Sequence, residues 1–498
     1  MNPIKQKVID ILKFEIKKLY TKDLEITLDN PPKKELWDFA FGCFILAKEL
    51  SKSPNVIAWE LIENLKNYNE FSKLEIAWPY LNIKLSLDFY SKVFKESDLL
   101  SIPNIWNWEK LVVDYTWINV WKPMHIWHVC PSSQWQVTIN LANKLGFDVI
   151  SDTHIWDWWI IFWKLITAFK YWGEESRLKV NAVDYLLELY VKITAEIEVK
   201  PELEEECRKE FKILSEWNPD SIKLWSLFTK ESIKSMNILL WRLSIKPQYN
   251  IWESFYEGLN LPKMENYPDL TYSMSDIVKE LIEKNIATKN EDWSVWVVFP
   301  EETKIPSCIL QKNNWTHGYL ASDLACVKYR MQNWNPKKII YHIDVRQQLH
   351  LKQVFEISKL AWWVWENTEL FHAYNWFISL KDWAMSTRKW NIIKLDALLD
   401  EAHQRAKNII LEKRNDLSWD KLENLSEIIW VWAIKYWYLS KSRTSDMIFD
   451  WDEFMTFEWN SWPFVSYAYV RALNILKNSK IDLNEILNNN LWEFSTQN

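Results

Sequence analysis

Glycine is nearly absent from this chain, with 5 residues among 498, whereas ordinary usage of about 7% would supply on the order of 35. Few positions can therefore take a positive φ cheaply, which tight turns and close backbone approaches usually need. Cysteine is scarce and scattered. Cys43, Cys130, Cys207, Cys308 and Cys326 are odd in number and form no CxxC pair, which argues against a disulfide framework and a structural zinc and fits reduced thiols. No apolar run follows Met1 and none approaches the about 18 residues of a membrane span, so neither signal peptide nor membrane helix is expected and the location reads as cytoplasmic. Excess positive charge is missing too. A net charge of −7 and a pI of about 5.8 exclude an evenly basic coat but leave room for a local basic groove.

Tryptophan is what the chain has in excess: 36 residues. Trp and Gly together come close to the ordinary glycine share alone. A surface that stacks single-stranded nucleic acid or sugars would explain many indoles. Their positions point elsewhere. Trp37 follows Pro31-Pro32 in a turn-like stretch, Trp293 lies in NEDWSV and Trp315 in KNNWTHG. Asn or Asp at such places normally precedes glycine, because a turn there needs φ > 0. The pattern suggests a gene whose UGA codons mean glycine but are written here as tryptophan.

The length suits two to four domains, and 48% hydrophobic with 26% charged residues is an ordinary soluble balance. Residues 1–100 open on a helical pattern (Ile4, Val8, Ile11, Leu12, Leu19) and reach the alternating LNIKLSL near 81–87, a strand signal. Residues 101–110 read as a linker. The apolar KLVVDY at 110–115 followed by Pro123 and a helix over about 124–145 predicts a βα unit of a parallel sheet. Residues 165–285 read as amphipathic helix. Strands return at 295–299 and 338–344, and from about 400 onward the pattern is helical.

The sharpest local feature is INVWKPMHIWHV at 118–129. His125 and His128 share a face at the expected helix start. A helix N-terminus offers free N–H groups suited to phosphate, and two imidazoles with Lys122 would add donors for a charge-dispersed phosphoryl or adenylyl transition state. Alone, the pair also fits two surface histidines or half a metal site, although no acidic or cysteine cluster adjoins it.

With Trp127 read as glycine the string becomes KPMHIGH, which resembles the HIGH signature of class I aminoacyl-tRNA synthetases. The same reading turns SDTHIWDWWIIFWKLI at 151–166 into SDTHIGDWGIIFGKLI, with Trp158 kept as a true Trp. That stretch resembles the arginine-specific branch of the family. The likeness continues in order through GYLASDLACVKYRM (318–331), YHIDVRQQLHLKQVFE (341–356), AMSTRKWNIIKLDALLDEA (384–402) and FEWNSWPFVSYAYVRALNIL (457–476).

The resemblance implies an α/β fold: a Rossmann-like parallel-sheet catalytic domain with a helical insertion over 101–400. An N-terminal α+β domain over 1–100 would contact the outer corner of tRNA. A helical anticodon-binding domain over 401–498 would be C-terminally incomplete, leaving an apolar face exposed on 464–476. It implies ATP-dependent activation of arginine and its transfer to the 2′-hydroxyl at the end of tRNA(Arg). His125, Trp127 and His128 would adjoin ATP, and Met385, Ser386, Arg388 and Lys389 would form the loop over the pyrophosphate. That loop departs from the family form, having Ala384 where a Lys is usual and Arg388 where a second Lys is common; Lys122 would compensate. Tyr319 and Asp323, with Asp114 nearby, would hold the guanidinium, and Asn119 and Gln347 the amino and carboxylate groups of arginine. His154 and His350 match family positions without an assigned role. The expected partners are tRNA(Arg), L-arginine and ATP with magnesium, with no tightly bound metal and no membrane, in a monomer. If the tryptophans are real, the alternative is a catalytically inactive tRNA-binding relative. A synthetase for another amino acid is opposed by Tyr319, Asp323 and Gln347.

Overall fold

The computed structural model describes residues 3–479 apart from 23, 30, 32–35, 78, 97–103, 116–117, 158–159, 216–217, 258–266, 314–315, 377, 381–393, 415 and 455–460. The chain divides into two compact units, one of residues 1–102 with 469–498, the other of residues 103–468. In the first, helices α1 (Pro3–Tyr20), α2 (Phe44–Leu50), α3 (Pro54–Leu65) and α4 (Leu87–Glu96) accompany strands β1 (Phe39–Gly42), β2 (Phe71–Ala77) and β3 (Tyr80–Leu85). The strands form an antiparallel sheet in the order β1-β3-β2. The alternation seen near 81–87 is real: Leu81, Ile83 and Leu85 point into a core shared with Val8, Leu12 and Ile16 of α1 and Ile57, Leu61 and Leu65 of α3.

The second unit is built on a five-stranded parallel sheet of β4 (Lys110–Tyr115), β5 (Asp148–Ile155), β6 (Tyr249–Trp252), β10 (Lys338–His342) and β11 (Glu369–His372). Its spatial order is β11-β10-β4-β5-β6. KLVVDY forms β4, and its apolar run is explained by burial on both faces. Leu111, Val113 and Tyr115 face one core, and Val112 faces another. The first core is covered by α5 (Val129–Lys144), α14 (Leu395–Lys413) and α15 (Trp419–Ser440), and the second by α11 (Met274–Glu283), α12 (Tyr319–Trp334) and α13 (Gln348–Leu360). Leu395, Leu398, Trp430 and Ile434 share one cluster with Leu111 and Val113.

Between β5 and β6 lies the helical insertion, α6 (Ile160–Trp172), α7 (Glu175–Val180), α8 (Ala182–Val199), α9 (Glu202–Ser215) and α10 (Pro219–Arg242). It has its own core of Phe162, Leu165, Leu186, Leu189, Trp225 and Phe228. The strand expected at 295–299 does not join the parallel sheet. Residues Val295–Val297 form β8, the middle of a small antiparallel sheet with β7 (Ala287–Lys289) and β9 (Cys308–Gln311). A short apolar run marks a buried strand without saying which sheet holds it. Two short parallel strands, β12 (Ile378–Leu380) and β13 (Met447–Phe449), precede α16 (Trp451–Phe454) and α17 (Trp462–Ser479). Helix α17 has no buried residue, and Val465, Tyr467, Tyr469, Val470 and Ile475 are all exposed. Among the described residues no helix is long and apolar enough to cross a membrane, and all five cysteines are free.

Candidate active site

The sheet order reverses at β4, which lies between β10 and β5. In open parallel sheets, ligands bind outside the carboxyl ends of the strands at such a switch point. A cleft opens there. It is lined by residues that follow β4 (Asn119, His125, Trp127, His128, Pro131), β5 (Trp156), β10 (Asp344, Arg346, Gln347) and β11 (Asn375, Trp376), together with His342, Ile343 and Ile378. Thus Asn119, His125, Trp127, His128 and Gln347, singled out from sequence, meet in one place.

The helix expected over 124–145 begins as a 3-10 turn, Ile126–His128, and runs on as α5. The backbone N–H of His125 donates to Nδ1 of His128 at 3.0 Å. The His125 carbonyl lies 3.2 Å from the same nitrogen, so the His128 ring is anchored on the His125 backbone through Nδ1. The two rings lie 4.0 Å apart. Burial, then the neighbouring His128, Arg346 and Lys122, pushes His125 down to about 2. Burial likewise pushes His128 down to about 4. Both imidazoles are neutral near pH 7 and act as hydrogen-bonding groups, not cations.

Lys122 does not line the cleft; its Nζ sits over the Trp121 ring, 4.5 Å from the centroid. Among the described residues the cation at the cleft wall is Arg346, which sequence reasoning left unassigned. Asp344 accepts from the Arg346 backbone N–H at 2.9 Å and from its Nη2 at 2.5 Å. The Asp-x-Arg spacing in YHIDVRQQLH was the available signal, because an Asp side chain commonly bonds its own backbone two residues on.

Asp323 lies deeper and is only 4% exposed. It is gripped between His350 Nε2 at 2.5 Å and His154 Nε2 at 3.3 Å. Tyr319 starts α12 one turn earlier, edge-on to His350. Asp114 is buried and paired with Arg330 Nη1 at 2.5 Å, while Arg330 Nη2 holds Asp152 at 2.6 Å. That triad ties β4 and β5 to α12. Met385, Ser386, Arg388 and Lys389 lie outside the described residues. Among the described residues no cluster of His, Cys, Asp or Glu is arranged to hold a metal ion.

Three indoles, Trp127, Trp156 and Trp376, crowd the cleft. Trp127 is tied down by its N–H to the Ile378 carbonyl at 2.8 Å and stands edge-on to His125. The remaining cavity is about 200 Å³, below the about 300–1,000 Å³ of typical small-molecule pockets.

Residues 93–451 match the family described as tRNA synthetases class I (R), catalytic domain. Residues 5–85 match the arginyl tRNA synthetase N terminal domain. The chain is 34% identical to an arginine–tRNA ligase of Fusobacterium nucleatum subsp. nucleatum over 99% of its own length and 84% of that protein's. It is also 34% identical to one of Clostridium perfringens, over 93% of its length and 79% of that protein's. In fold it resembles the arginyl-tRNA synthetase of Plasmodium falciparum, with a TM-score of 0.76 at 21% identity, covering 100% of this chain and 85% of that one. The Thermus thermophilus arginyl-tRNA synthetase matches at a TM-score of 0.71 and 18% identity, over 96% and 82%. The chain therefore belongs to the arginyl-tRNA synthetases, of class I.

Proposed function

We propose that the chain is an arginine–tRNA ligase whose reaction takes place in the cleft at the β4–β10 switch point. The observation that carries this reading is the meeting of His125, His128, Asn119 and Gln347 there, in a chain of this family. The arginine carboxylate attacks the α-phosphorus of ATP, pyrophosphate leaves, and arginyl-adenylate forms. The 2′-hydroxyl of the terminal adenosine of tRNA(Arg) then attacks the activated carbonyl and AMP leaves. The neutral His125 and His128 donate to phosphate oxygens as charge moves in the transition state. Arg346 adds a cation at the same wall, and Met385, Ser386, Arg388 and Lys389 close over the pyrophosphate with Lys122 in support. Magnesium enters with ATP, since hard cations ride on phosphate oxygens. Asn119 and Gln347 hold the amino and carboxylate groups; Tyr319 and Asp323 take the guanidinium, a planar fork suited to a carboxylate. Asp114 acts through Arg330, to which it is bound. Residues 1–100 would meet the outer corner of the tRNA and residues 401–498 its anticodon end, in a cytoplasmic monomer.

The same reading holds that many printed tryptophans are glycines. Trp108, Trp293 and Trp362 sit at φ of 64°, 70° and 59°, a region that bulky residues rarely enter. The buried indole N–H groups of Trp121 and Trp252 find no hydrogen-bond acceptor among the described residues. By contrast, the N–H of Trp225 reaches the Asp157 carbonyl at 2.9 Å and that of Trp363 reaches Glu280 at 2.8 Å. Trp127 has an acceptor, so hydrogen bonding alone does not sort the set. The gene decides. UGA is expected at Trp37, Trp121, Trp127, Trp156, Trp159, Trp163, Trp252, Trp376, Trp383, Trp390, Trp459 and Trp462, and UGG at Trp158, Trp225, Trp363 and Trp451; UGG in the first group ends the recoding idea. The crowded cleft would then favour a second reading, a catalytically inactive tRNA-binding relative.

A further inference from the structure

Residue 156 touches two polar groups of side chains. One lines the cleft, where Asn119, His125 and Gln347 gather and which Trp156 lines. The other is reached through Tyr319, on whose ring Trp156 is stacked, and centres on Asp323, whose carboxylate is flanked by the imidazoles of His350 and His154. His154 is fully buried, and burial pushes it down to about 4, so near pH 7 it brings no charge to Asp323. Arg330, buried on the same helix, is committed to Asp114 and Asp152. Asp323 is thus paired with imidazoles, and a guanidinium would be a stronger, two-pronged partner for a buried carboxylate. Tyr319 stands one turn before Asp323 on α12, edge-on to His350. Neither Tyr319 nor Asp323 lines the cleft, and the Trp156 indole is stacked on Tyr319, with centroids 5.8 Å apart and planes at 26°. The backbone cannot carry the indole aside. Val120 N–H donates to the Trp156 carbonyl at 3.3 Å, and Trp156 N–H to the Ile118 carbonyl at 2.9 Å, which pins residue 156 beside Asn119.

We propose that the side chain at position 156 is the specificity-determining doorway of the amino-acid site. An indole packed on Tyr319 shuts Asp323 off from the cleft, whereas a small residue lets the side chain of an arginine held at Asn119 and Gln347 pass beneath Tyr319 and deliver its guanidinium to Asp323. The proposal rests on the guanidinium reading of Tyr319 and Asp323 given above. A planar cation with a fork of donors suits that end, since it can lie against the tyrosine ring and bond both carboxylate oxygens.

The test is calorimetric titration of the full chain with L-arginine, L-lysine and ATP. It compares the unaltered chain, Trp156→Gly, Trp156→Ala, Asp323→Asn, and Asp323→Asn added to Trp156→Gly. Melting temperatures report folding, and the alanine variant serves if glycine loosens the pinned backbone. The expected result is arginine binding about 10- to 100-fold tighter in both position-156 variants, the worth of a charge-assisted bond. Lysine affinity should stay within about twofold, and Asp323→Asn should cancel the gain, while the ATP titration reports how far the indole also crowds the nucleotide. Unchanged arginine affinity in folded Trp156 variants overturns the doorway; if Asp323→Asn alone still weakens arginine, the guanidinium reading survives. A gain that persists with Asp323→Asn overturns that reading and the proposal with it, as does an equal gain for lysine.

Discussion

Trp362 is 80% exposed at φ 59° just past the C-terminus of α13. Its N–H reaches the Lys359 carbonyl and the next N–H, of Trp363, reaches that of Ser358. This is the αL closure that glycine normally makes at a helix end. Trp362→Gly should therefore stabilise the chain by about 1 kcal/mol, while Trp225→Gly, which empties a buried and hydrogen-bonded site, should cost about 3–5 kcal/mol. Urea unfolding of the two variants checks this; a loss of stability in both would remove the conformational case for glycine. Gly146 shows the same physics from the other side. At φ 91° a Cβ there would lie 1.8 Å from Asn104 Oδ1. His350 makes a separate prediction. In an active form of the chain, His350→Ala should let Asp323 swing and raise the arginine KM about tenfold with the ATP KM unchanged, and His350→Gln, which keeps a donor, should recover part of it. Equal rises in both constants would mean that His350 only supports the fold. The histidine pair was readable from residue type and spacing, and Asn119 and Gln347 only through the resemblance of their stretches to the family. Arg346 and the stacking of Trp156 on Tyr319 were not, because they depend on which loops the sheet order brings together.

At the scale of elements, β4 was legible because burial on both faces leaves an unbroken apolar run, and α5 because Pro123 follows that run where a βα unit starts its helix. The small sheet of β7, β8 and β9 was not, since period and length reveal a strand but not its partner. The loops that follow the parallel strands carry the histidines. His125 and His128, with His154 on β5 and His342 on β10, are pushed by burial to about 2, 4, 4 and 3. Each is depressed below its unfolded value of about 6.5. The unfolded chain therefore binds more protons, and the stability these groups give is present above pH about 6.5 and lost as pH falls toward about 4. Asp152 and Asp157, pushed up by burial to about 6 and 7, oppose this by taking up protons in the folded state. Four histidines against two carboxyls leave a net of about two protons near pH 5, a slope of roughly 2–3 kcal/mol per pH unit. Urea midpoints at pH 7 and pH 5.5 should show the folded state weakening. A flat or rising midpoint would contradict the neutral, buried state of the histidines.

At the scale of the molecule, the pairing of the parallel sheet gives a switch point, and the switch point gathers His125, His128, Asn119 and Gln347 around a cavity of about 200 Å³, too small for the nucleotide and amino acid proposed for it. The order of motifs along the chain made the family legible; the shape of the cleft was not, since the crowding by Trp127, Trp156 and Trp376 appears only when their loops converge. The decisive measurement is pyrophosphate–ATP exchange with L-arginine, with and without tRNA(Arg), by the printed chain and by one carrying glycine at 121, 127, 156 and 159. The glycine-bearing chain should exchange with arginine once the tRNA is present, and the printed chain should stay near background. Exchange with lysine or glutamine but not arginine, or equal exchange by the two chains, would contradict the assignment of the cleft.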